Sequence, residues 1–150
     1  MDLRFKSQAE SEDQNGLLIF HQYFDKAEPK QEGEQRFVYC IASDESLDLD
    51  NERVLKVALE KSKDYFLAKG NVDLDHLTKI GHRVGIANPH LFEIGLPREV
   101  KFSGRNTIVK AEIYRGEGQS CAKAEMFWDS VTKQSPPQRW FPSVAGSVIK

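Results

Sequence analysis

The chain has 150 residues, 39% of them apolar and 29% charged, with 21 basic against 23 acidic side chains and a formal net charge of -2. That length suits one compact domain spanning residues 1–150 and is short for two, while the near-neutral balance lacks the basic footprint of a nucleic-acid binder. Cys40 and Cys121 lie far apart with no CxxC spacing, which argues against a zinc site or a disulfide scaffold. No apolar run approaches the ~20 residues of a membrane span, and the first residues lack a secretory apolar region, so a cytosolic protein is expected.

In chain order, Leu3 to Phe5, Leu17 to Phe24 and Arg36 to Ala42 carry the apolar, aromatic and β-branched content of strands and are expected to form an antiparallel meander. Leu17 to Phe24 also suits a buried helical turn, since periodicity does not separate the two for so short a run. The polar stretches Ser7 to Gly16 and Lys26 to Gln35 between them read as exposed loops. Ser46 to Asn51 offers capping side chains before a helical apolar pattern at Val54, Leu55, Ala58, Leu59, Tyr65 and Phe66, with Gly70 placed to end that helix in a left-handed conformation. Val72 to His76 alternates as a strand does. Arg83 to Ala87, Leu91 to Ile94 and Thr107 to Arg115 are further strands, which makes the middle third mostly β. A second helix is expected from about Gln119 to Val131, with Ala122, Met126, Phe127 and Val131 facing the core and Trp128 at its margin. Ser135-Pro-Pro-Gln138 breaks it, and Ser143 to Ser147 is an apolar strand or strand edge.

Two residues carry the chemical argument. His76 is flanked by Asp73 and Asp75; on a strand its imidazole shares a face with Leu74 and Thr78, as a structural histidine would, whereas a catalytic one must reach a hydroxyl through one nitrogen and be oriented through the other. Ser143 follows Trp140-Phe-Pro and precedes Val-Ala-Gly, so a stiff approach leads to a hydroxyl with room beside it. Backbone N–H groups at Ala145 and Gly146 are candidates for stabilising an oxyanion. A packed strand with an incidental hydroxyl explains the same residues. Gly-x-Ser-x-Gly is absent, so the nucleophile elbow is not indicated. His76, His82 and His90 match no compact metal-ligand spacing, the acids Asp44 to Glu52 lack the glycine and spacing of a calcium loop, and no phosphate-binding fingerprint is present.

Taken in order, the segments Tyr39 to Val54, Asn71 to Gly85, Val109-Lys-Ala-Glu-Ile-Tyr114, Ala122 to Val131 and Phe141 to Gly146 resemble those of the prohead (maturation) proteases of tailed bacteriophages, over roughly residues 36 to 147. The resemblance implies an α+β fold similar to the herpesvirus assembly proteases, a mixed and mostly antiparallel β-barrel with peripheral helices. It implies a serine endopeptidase with His76 as general base and Ser143 as nucleophile, needing no cofactor or metal. It further implies action in the host cytoplasm inside the phage prohead, on scaffold protein, major capsid protein and the protease itself, with homodimerisation as in the herpesvirus relatives and no nucleic-acid or membrane partner. Those relatives take a third residue that orients the histidine, often from beyond the serine. Only seven residues follow Ser143, so the expected sources are upstream, among Glu112, Glu93, Asp129, His82 and His90, or in a C-terminal segment that this chain lacks. The rival expectation is a non-catalytic capsid- or scaffold-binding domain of the same fold.

Overall fold

A computed structural model describes residues 17–20, 28–47, 51 and 53–147. The expected strand Leu3 to Phe5, the loop Ser7 to Gly16 and residues 21–24 of the next run lie outside them. Leu17–Phe20 is a strand, β1. The polar stretch after it, read as a loop, holds a hairpin instead: Glu28–Glu32 (β2) pairs with Gln35–Ser43 (β3), Glu32 opposite Gln35. Gly33 turns the two-residue connection with a φ of 60°, a position at which glycine meets no steric penalty. Glu-Pro-Lys-Gln-Glu lacks strand composition because β2 is an edge. Pro29 withholds a donor and the charged side chains stay in solvent, both of which protect an edge from further pairing.

The main sheet is antiparallel, with strand order β2-β3-β6-β5-β4. Val72–Asp73 forms β4, Glu93–Ser103 β5 and Asn106–Ile113 β6. The β6 alternation is as expected, with Thr107, Val109, Ala111 and Ile113 buried and the residues between them half-buried. The middle of the chain departs from the strands read there. Val72 to His76 leaves the sheet after two residues, Arg83 to Ala87 overlaps a 3-10 turn at Gly81–Val84, and Leu91 to Ile94 begins in another at Pro89–Phe92. Short apolar runs without sustained alternation do not specify a strand.

The barrel is not formed by the described strands. The five-stranded sheet stays open, and Val144–Ser147 (β7) pairs with β1 as a separate two-stranded ribbon rather than placing β1 in an N-terminal meander. Closure needs edge strands long enough to share a staggered ladder. Here one edge is the two-residue β4 and the other the charged, proline-bearing β2.

Helix α1 spans Lys56–Lys69. Its first turn is capped from a distance: the Lys56 N–H donates to Glu45 Oε1 at 2.7 Å, satisfying one of the donors that a helix N-terminus leaves open. Gly70 ends it, but with φ -76° and ψ 167°, not the left-handed conformation expected. Glycine is required there by proximity, since a Cβ would overlap the Phe66 ring and stand 2.5 Å from the Phe66 carbonyl oxygen. Leu77–Ile80 forms the short α2 and Gln119–Thr132 the helix α3. The second helix is therefore where the sequence places it, rotated on its axis. Ala124, Phe127, Trp128 and Ser130 are buried, while Ala122 and Met126 are exposed. Phe127, Trp128 and Ala124 join Val38, Ile94, Ile113 and Leu74 in one core cluster, with Trp140 and Phe92 packed against it.

Candidate active site

Two core anchors carry the site. On the first segment, Leu74 is buried and its N–H donates to the Phe92 carbonyl at 3.1 Å. Fixed there, the chain turns through Asp75 and His76, both left-handed with φ of 51° and 56°. Two successive non-glycine residues in that region cost on the order of 1 to 3 kcal/mol each. The turn is held against that cost by the Leu77 N–H on the Leu74 carbonyl and by the Lys79 and Ile80 N–H groups on the His76 carbonyl, at 3.0, 2.9 and 3.0 Å. On the second segment, the Trp140 indole packs edge-on against Phe127 with ring centroids 5.3 Å apart. Its Nε1–H donates to Ser130 Oγ at 2.8 Å, and the Gln138 N–H donates to the Ser130 carbonyl at 2.7 Å. The loop between α3 and β7 is thereby tied down three residues before Ser143.

Both anchors belong to the same packed cluster, and the residues they carry meet. His76, 8% exposed, directs Nε2 at Ser143 Oγ in direct hydrogen-bond contact. His76 stands at the N-terminus of α2 and not on a strand, which changes its neighbours. The carboxylate of Asp73 reaches the buried side of the turn, its Oδ1 4.0 Å from His76 Nδ1, with side-chain exposures of 7% for Asp73 and 10% for His76.

Asp73 is in turn restrained. Its Oδ2 accepts from the Thr78 N–H at 3.0 Å and from the Thr78 hydroxyl. Asn71 Nδ2–H2 donates to Thr78 Oγ1 at 3.2 Å and to Glu93 Oε1 at 2.8 Å, and the Tyr114 hydroxyl donates to Glu93 Oε2 at 2.6 Å. Burial, reinforced by that bond to Glu93, holds the Tyr114 phenol above its ordinary range and keeps it a neutral donor. Asp73 and Glu93 are opposite one another across β4 and β5. Facing carboxylates repel, and the donors of Asn71, Thr78 and Tyr114 compensate both.

The residues expected upstream as a third partner occupy other places. Glu112 pairs with Arg98 at 2.8 Å and Asp129 with Lys133 at 3.2 Å. His82 and His90 are exposed on the 3-10 turns. Glu93 is in the network, but contacts Asn71 and Tyr114. A continuous strand places residues 73 and 76 on opposite faces, so the alternation at 72–76 does not point to Asp73; the one local signal is the tolerance of Asp for left-handed backbone at position 75. Ala145 and Gly146 lie in β7 opposite Ile19 and Leu18. Successive amides of a strand point to opposite edges, so these two present one N–H to β1 and one away from it.

The arrangement is competent for acyl transfer: a hydroxyl, an imidazole nitrogen directed at it, and a carboxylate on the far side of the ring. No family model and no curated protein matches the chain. Among solved structures, the capsid assembly protease gp21 of bacteriophage T4 is similar in fold, covering 89% of this chain and 80% of its own at 17% identity, with a TM-score of 0.50. The mixed helix and antiparallel-sheet architecture is thus shared with a phage capsid protease.

Proposed function

We propose that this protein is a serine endopeptidase of phage prohead maturation, cleaving scaffold protein, capsid protein and itself inside the immature head in the host cytoplasm. The observation that carries the reading is the contact of His76 Nε2 with Ser143 Oγ across 67 residues of sequence. Likeness in fold to a capsid assembly protease supports the biological setting. His76 takes the proton of Ser143 as the oxygen attacks a peptide carbonyl, and returns it to the leaving amine. Water, activated by the same imidazole, then hydrolyses the acyl-enzyme. An N–H from Ala145 or Gly146 stabilises the oxyanion. The substrates are the scaffold and major capsid proteins, and the enzyme works as a homodimer without cofactor.

The test is intact mass and peptide mapping after exposure to a fluorophosphonate, which reports an activated serine without a known substrate. Labelling is expected at Ser143. Ser143→Ala abolishes it and His76→Ala slows it by about 10³-fold or more. A wild-type chain that is not labelled under conditions in which a scaffold protein still binds would favour a non-catalytic binding domain.

A further inference from the structure

We infer that Asp73 is the positioning residue for His76, completing a Ser143, His76, Asp73 triad, and that the half-buried Thr78, Asn71, Glu93 and Tyr114 form a hydrogen-bonded scaffold that aims its carboxylate. The catalytic meaning of this inference rests on the protease reading above; the orienting contact itself does not.

The bonding pattern is directional. Tyr114 and Asn71 donate to the two oxygens of Glu93, Asn71 donates onward to Thr78, and Thr78 donates twice to Asp73 Oδ2. A carboxylate with both donors on one oxygen keeps the other oxygen available. That oxygen, Oδ1, is the one facing His76 Nδ1. For Nε2 to accept the Ser143 proton, the neutral imidazole must carry its hydrogen on Nδ1, and Asp73 Oδ1 is placed to favour that tautomer. The 4.0 Å separation exceeds hydrogen-bond length, as resting sites often do before substrate tightens them. The charged neighbours Asp75 and Lys79 are exposed on the same turn, and so are His82 and His90 on the next elements. Among these groups, Asp73 is the carboxylate on the buried side of the ring. Thr78 makes the device local, since one residue of α2 supplies both bonds to Asp73 while the αL turn in between carries the histidine.

Two readouts on the full chain separate the possibilities. Nitrogen-15 NMR of the histidine rings reports tautomer and titration whether or not the protein is active. His76 is expected as the Nδ1–H form, and Asp73→Asn moves it toward a mixture and lowers its titration midpoint, because an anion that favours the imidazolium has been removed. Fluorophosphonate labelling of Ser143 is expected to fall by about 10² to 10⁴-fold in Asp73→Asn, with its acid limb at lower pH. Asp73→Glu retains part of the rate. Thr78→Val, which loses the hydroxyl but keeps the backbone bond, slows labelling by roughly tenfold, and Thr78→Ser restores it, which guards against mere misfolding. An unchanged His76 titration and an unchanged rate in Asp73→Asn would overturn the inference. A His76 titration that responds to Asp73→Asn in a chain whose serine is never labelled would keep the orienting contact and remove the protease.

Discussion

Gly95 shows how little room the site's foundations have. It sits in β5 between two neighbours, opposite Val72 of β4 on one side and Ile113 of β6 on the other. A Cβ built there would overlap the Glu112 carbonyl oxygen and stand 3.1 Å from its carbon and 3.2 Å from Ile113 Cα. These are backbone atoms that no rotamer change moves aside. Gly95→Ala is therefore expected to destabilise the protein by about 1 to 3 kcal/mol through forced separation of the strands. Calorimetry checks the size; for a chain of this length each kcal/mol lowers Tm by roughly 2 to 4 °C. Because Val72 adjoins Asp73, Ser143 labelling should also slow, and a wild-type Tm would show that β5 and β6 part without cost. At this scale the sequence was informative about the two side chains that meet, and silent about their support. His76 and Ser143 stood out through the order of motifs around them. Asp73 did not, because two left-handed residues at 75 and 76, neither a glycine, replace the strand on which it was read.

Among the elements, α3 is fastened to the sheet by a charged latch. Arg36 of β3 donates to Glu125 Oε1 at 2.8 Å and lies over the Trp128 ring at 5.4 Å, and the Gly116 N–H reaches the same oxygen at 3.3 Å. Burial pushes the Glu125 carboxyl upward, but the Arg36 and Gly116 donors outweigh it and the net shift is downward from 4.5. A depressed carboxyl pKa contributes stability that is fully present above the unfolded value and lost as the pH falls through the folded one. Glu125→Gln should therefore lower the melting temperature at neutral pH, on the order of 1 kcal/mol for a side chain 32% exposed. The gap to wild type should close as the pH drops below 4.5. A gap that persists undiminished in acid would assign the loss to packing against Trp128. Helix α3 and strand β6 were legible because each sustains its period over many residues. The face of α3 was not. Trp128 is covered by the remote Arg36 and Ser130 by Trp140, which returns from the loop after the helix, while the apolar Met126 is 43% exposed.

Over the described residues, the fold brings the first strand and the last together beside Ser143. β7 begins at the residue after Ser143, and its described partner is β1, with Phe20 opposite Val144 and Leu17 opposite Ser147. Nothing local in either segment names the other, which is why a meander among neighbouring strands was the expectation and a remote ribbon the outcome. Under the function proposed above, the pairing gives the first described strand a part in the site, since it fixes the strand that follows Ser143 and carries the Ala145 and Gly146 amides. Proline tests this, because it removes a backbone donor. Successive N–H groups alternate between edges, so one of Leu18→Pro and Ile19→Pro deletes a bond to β7 and the other deletes none. The variant that breaks the ladder is expected to slow Ser143 labelling by about tenfold or more, equivalent to about 1.4 kcal/mol in the barrier. Its circular dichroism and main melting transition should change little, because the five-stranded sheet takes no strand from this ribbon. Labelling at the wild-type rate in both variants would mean that the Trp140 anchor alone holds Ser143, and that β1 and β7 pair beside the site without serving it.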